Sequence, residues 1–169
     1  MRAVRPLQTG LYLLLAGNTV WFLLVGPWTK GLDALAWFLL LMLFALEAAA
    51  LPGLNSAHLR GIVHLLRLIA AVAIAASAWG YVQHDAWLDA ANLGLWILVI
   101  ALLECEIRFA GWTAAHRRLF TAVAIVLYSA IAALIPLWAL RGEWFDAYDA
   151  VLWLVAFALI EVDALRRAH

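Results

Sequence analysis

The stretch LDALAWFLLLMLFALE, residues 32–47, recurs as LDAANLGLWILVIALLE at 88–104 and as FDAYDAVLWLVAFALIE at 145–161. Each copy opens on an apolar residue and an Asp, runs through apolar residues, and closes on a glutamate. Glu47, Glu104 and Glu161 follow one another at intervals of 57 residues. A hydrocarbon core of about 30 Å takes roughly 20 apolar residues in a helix, so each copy reads as a membrane span.

The surrounding chain agrees. Of its 169 residues 68% are hydrophobic and 13% charged, and the mean hydropathy is +0.97. A soluble domain has about half its residues apolar and about a quarter charged. Six spans are expected, near residues 9–27, 32–51, 62–82, 87–107, 119–140 and 144–165. The fold class is all-α: a polytopic membrane protein of six transmembrane helices, arranged as three tandem hairpins from an internal triplication. The hairpins cover approximately 9–51, 62–107 and 119–165 of a single integral membrane domain, 1–169. The basic start, Met1 to Arg5, followed by a long apolar run, reads as an uncleaved first span.

Copies two and three align closely. Trp87 meets Trp144, Asp89 meets Asp146, Asn92 meets Asp149, and Trp96 meets Trp153. The odd spans match at a different offset, Arg67 to Ile74 with Arg118 to Ile125, so the hairpin turns differ in length. The loops echo each other as Ala57-His58-Leu59-Arg60 and Ala115-His116-Arg117-Arg118.

Orientation follows from the basic residues. Arg2, Arg5, Arg60, Arg67, Arg108, Arg117, Arg118, Arg166 and Arg167 fall on one side; Lys30 and Arg141 fall on the other. The arginine-rich side is expected to be cytoplasmic, with both termini there, in a bacterial cytoplasmic membrane. Trp28, Trp79, Trp87, Trp138 and Trp144 fall at the opposite ends of the spans, where indole favours the headgroup region.

The acids carry what functional signal there is. Asp33, Asp89 and Asp146 stand at expected helix starts, where a carboxylate complements free N–H groups and the helix dipole. Asp89, Asn92 and Trp96, like Asp146, Asp149 and Trp153, recur at i, i+3 and i+7 and share a helix face. That face either lines an outer vestibule or packs against a neighbouring hairpin.

Glu47, Glu104 and Glu161 stand near helix C-termini, where negative charge opposes the dipole. Glu47 is roughly 22 Å along its span at 1.5 Å per residue. A carboxylate at such depth must be protonated, paired or wetted. Pairing with nearby arginines is the plain reading: Arg108 lies four residues after Glu104, and Arg166 and Arg167 follow Asp163. A cation or proton site is the functional one. Small residues at Ala70 to Ala78 and Ala130 to Ala133 are expected to let helices approach closely.

Other chemistry is poorly served. Cys105 is the single cysteine, so no intrachain disulfide or paired-cysteine metal site is expected. The five histidines show no ligand spacing within one helix. Net charge is zero, which leaves nucleic-acid binding without an electrostatic basis. There is no Gly-rich phosphate loop, and Lys30 is the sole lysine. A non-enzymatic role without cofactors is favoured.

Two roles remain in view. One is a cation- or proton-handling transporter or channel using Glu47, Glu104 and Glu161, with Asp89, Asn92, Asp146 and Asp149 at its outer mouth. The other is a non-catalytic structural or accessory subunit of a membrane complex. The expected partners are the lipid bilayer and either further copies of the chain or a larger membrane assembly.

Overall fold

The computed structural model describes residues 4–48 and 57–168. Among them there are helices and turns only. In order these are α1 (Val4–Val25), α2 (Trp28–Ala48), α3 (Ala57–Gln83), α4 (Trp87–Arg108), α5 (Ala110–Ala115), α6 (Arg117–Leu140) and α7 (Trp144–Ala168). Five stretches are long and apolar enough to cross a membrane: Leu7–Val25, Trp28–Leu46, His58–Gln83, Trp87–Glu106 and Arg117–Leu140. Pro52-Gly53, expected to end the second span, and Asn55 and Ser56 of the polar loop expected after it lie outside the described residues, while His58 and Arg60 of that loop fall in α3.

Burial follows a bilayer rather than water. Leu13, Leu24, Val72, Ile125 and Val126 are exposed along helix flanks, whereas Asn18, Thr19 and Ser77 are buried. Lipid tails accept apolar side chains, and only the helix interior or a neighbouring helix satisfies polar ones. Thr19 Oγ1, for instance, donates to its own helix at Leu15 O, 2.9 Å away.

The chain forms two compact units. In the unit spanning 12–85, α2 packs on α3. The buried positions Ala70, Ile74, Ser77 and Tyr81 of α3 share one face at helical spacing. Gly80 marks the closest approach. A Cβ there would lie 2.9 Å from the Trp28 ring and nearer still to Thr29 Cγ2. Only a residue without a side chain lets the start of α2 sit against α3.

In the unit that includes residues 86–169, α6 packs against both α4 and α7. Its buried face is bulky: Phe120, Leu127, Ile131, Leu134 and Trp138. The expected small-residue contact face at Ala130 to Ala133 is only partly used, since Ala132 and Ala133 are exposed. The small partners come from α7 instead, where Ala147 and Ala150 take Leu134 and Trp138 into one cluster. Trp138 is therefore a core residue, 2% exposed, while Trp28, Trp79, Trp87 and Trp144 are exposed at helix ends.

The turn from α6 to α7 is built by Gly142 at φ +80°. Gly142 N–H donates to Ala139 O at 3.1 Å and Glu143 N–H to Trp138 O at 2.9 Å. This pair of bonds satisfies the last carbonyls of α6 and needs a left-handed residue at the position glycine fills. Pro136 lies inside α6, whose helix continues past it to Leu140, as its position near the span end allows.

Candidate functional site

Helix starts decide what the aspartates do. α2 begins at Trp28, just after the Gly26-Pro27 break, because Gly31 N–H already bonds Pro27 O at 3.2 Å. Asp33 thus lies beyond the first turn and does not cap. It instead accepts a hydrogen bond from the Tyr81 hydroxyl at 3.1 Å, which ties α2 to α3. Asp89 and Asp146 do stand in the first turns of α4 and α7, where a negative charge faces the positive end of the dipole. The residue before α4, Ala86, makes no side-chain cap.

The helices that carry the two polar stripes, α4 and α7, meet through aromatic rings. The ring of Trp96 lies 4.6 Å from that of Phe157, and Phe157 lies 6.4 Å from Trp153. Tyr128 of α6 meets Trp96 edge-on at 6.4 Å. Phe157 extends the series Asp146, Asp149, Trp153 by one more step of i+4. This contact is a single point of approach, since α4 and α7 each pack on α6, and Asp89, Asn92, Asp146 and Asp149 stand nearer the helix starts than it does. These four polar residues are all half-buried, one to three turns from an aromatic floor of Trp96, Phe157, Trp153 and Tyr128.

Two atoms near this floor stand out. Asn92 Oδ1 and Trp138 Nε1 are buried and have no hydrogen-bond partner among the described residues. Trp138 packs against Leu88 and Leu95, which flank Asn92 on α4. A buried acceptor or donor left unmade costs about 1–3 kcal/mol. Asn92 belongs to the stripe expected at the outer mouth, whereas Trp138 reads from the sequence as an interfacial indole.

The glutamates are placed less tightly. Glu104 lies in the last two turns of α4, half-exposed, and accepts from Arg108 Nε at 2.7 Å. This hydrogen bond, together with the charge behind it, holds the Arg108 guanidinium above its usual pKa. Glu47 is next to the last residue of α2, and Glu161 falls in the C-terminal part of α7; their side chains lie outside the described ones. Cys105 is half-buried beside Glu104. Among the described residues no three His, Cys, Asp or Glu side chains gather as a metal site.

The connection between α4 and α6, expected as a loop, contains the short helix α5. Trp112 stacks on His116 at 4.8 Å and meets Phe120 edge-on at 5.4 Å. These ring contacts fold the corner against the start of α6.

The described residues define an all-helical protein with several helices long and apolar enough to cross a membrane. No family model, no curated protein and no solved structure matches the chain.

Proposed function

We propose that the protein is a small six-span membrane protein that handles a cation or protons, with its termini on the cytoplasmic side. The sixth span is α7, a 25-residue helix, and the arginine distribution supports the orientation. Asp89, Asn92, Asp146 and Asp149 form the outer mouth, while Glu47, Glu104 and Glu161 serve at the inner ends of the even-numbered spans. The observation that supports this reading is the Trp96–Phe157 contact, where the helices that bear the two polar stripes meet ring to ring. Carboxylates and an amide oxygen are hard ligands, suited to hydrated cations or protons.

The test is flux through reconstituted proteoliposomes. Wild-type protein is expected to pass protons or a simple cation above the empty-liposome rate. The Glu47→Gln, Glu104→Gln, Glu161→Gln triple variant is expected to lose that flux. Wild-type flux equal to empty liposomes, across protons and several mono- and divalent cations, overturns the reading.

The accessory-subunit reading has one specific observation in its favour, the Glu104–Arg108 pair. There the repeated glutamate satisfies its own helix end. It is supported if the protein leaves native membranes in mild detergent as part of a larger complex and the triple Gln variant loses only assembly.

A further inference from the structure

We propose that the corner between α5 and α6 docks the headgroup of an anionic phospholipid. An open groove of about 820 Å³ lies there. Its polar wall is His116, Arg117 and Arg118, and its apolar wall is Leu119, Ala122 and Ile125. All six side chains are exposed. Arg108, at the end of α4 on the far side of α5, is neutralised by Glu104. Arg117 and Arg118 have no acidic partner among the described residues, so two guanidinium charges face the groove uncompensated.

The two walls together fit a lipid rather than a soluble anion. Guanidinium forks match phosphate oxygens bidentately. The apolar wall runs up α6 from those forks onto a lipid-facing flank that continues through Val126, 65% exposed. A phosphate held at Arg117 and Arg118 sends its acyl chains along that flank without leaving the hydrocarbon. Phe109 and Trp112, 59% and 54% exposed, flank the corner as aromatic side chains do at a headgroup boundary. His116 is held in place because its Nδ1 donates to Trp112 O at 2.9 Å; the carbonyl can only accept, so Nδ1 carries the proton.

The experiment is native mass spectrometry of the full chain in mild detergent, titrated with phosphatidylglycerol or phosphatidylcholine. Wild-type protein is expected to bind phosphatidylglycerol in preference. Arg117→Gln with Arg118→Gln is expected to weaken that binding by about fivefold per arginine, since each basic residue near an anionic surface is worth about 1 kcal/mol. Arg60→Gln with Arg141→Gln removes equal charge elsewhere and is expected to leave it unchanged. Arg117→Lys with Arg118→Lys keeps the charge but loses the forks, and is expected to bind phosphatidylglycerol less tightly than wild type and more tightly than the Gln pair. No wild-type preference for phosphatidylglycerol overturns the proposal, and that measurement needs no variant to fold. Equal losses in the two Gln pairs overturn it too. So does displacement of the lipid by millimolar inorganic phosphate, which would mark the groove as a site for the free anion.

Discussion

Trp96 of α4 and Phe157 of α7 meet ring to ring, 4.6 Å between centroids and 34° between planes. No other ring pair among the described residues joins these two helices. Truncating Trp96 to Ala removes this contact and the edge contact with Tyr128 together. A loss of about 3 kcal/mol is expected, within the span for large core aromatics. Trp96→Phe is expected to recover most of it. Unfolding in mixed micelles with increasing SDS reads both.

The Tyr81–Asp33 bond predicts a smaller effect. Tyr81→Phe keeps the ring and removes the donor, and about 1 kcal/mol is expected to be lost. Pairing it with Asp33→Asn in a double-mutant cycle isolates the coupling. If the two single losses simply add, the bond contributes nothing.

Gly80 and Gly94 make a matched contrast. An added Cβ at Gly80 meets Thr29 and Trp28, whereas at Gly94 it meets nothing within 4 Å. Gly80→Ala is expected to destabilise by about 1–3 kcal/mol through overpacking. Gly94→Ala is expected to stabilise by a little under about 1 kcal/mol through helix propensity. Thermal unfolding of both in the same detergent shows whether the signs differ.

Glu104→Gln breaks the ion pair with Arg108 where both side chains are largely exposed. Such pairs contribute little, so unchanged unfolding is expected, together with an unchanged response to salt. The hydrogen bond raises the Arg108 pKa above its unfolded value. Its contribution is thus present below that value and fades only as pH rises through the folded one, far into alkali. A flat stability profile through neutral pH is expected for both proteins.

Orientation is read with thiols. In a Cys105→Ala background, Arg141→Cys is expected to react with an impermeant maleimide on intact cells. Gly111→Cys, where an added Cβ meets nothing within 4 Å, is expected to react only after permeabilisation. The reverse pattern inverts the proposed topology.

The helices were legible because apolar length is a local property. The Gly26-Pro27 break and the Gly142 turn were readable for the same reason. What escaped the sequence lies between helices. Asp33 resembled a capping residue until α2 began five residues before it, and its donor, Tyr81, sits 48 residues away. Trp138 resembled a headgroup anchor, yet it is buried in one cluster with Ala147 and Ala150 of the next helix. The stripes at 89, 92, 96 and 146, 149, 153 were visible as periodicity. Phe157, through which α7 reaches Trp96, stands one step further along the second series and was readable but carried no polar mark. Helix α5 is a single short segment of small residues around Trp112, too brief for periodicity to show.

The Tyr81 hydroxyl that meets Asp33 is synthesised long after Asp33 itself. During insertion, α2 emerges with one carboxylate oxygen waiting on a donor that has not yet left the ribosome. Release of the two helices into lipid as a unit is therefore the expected order of events, since α2 alone would carry that carboxylate without the Tyr81 donor.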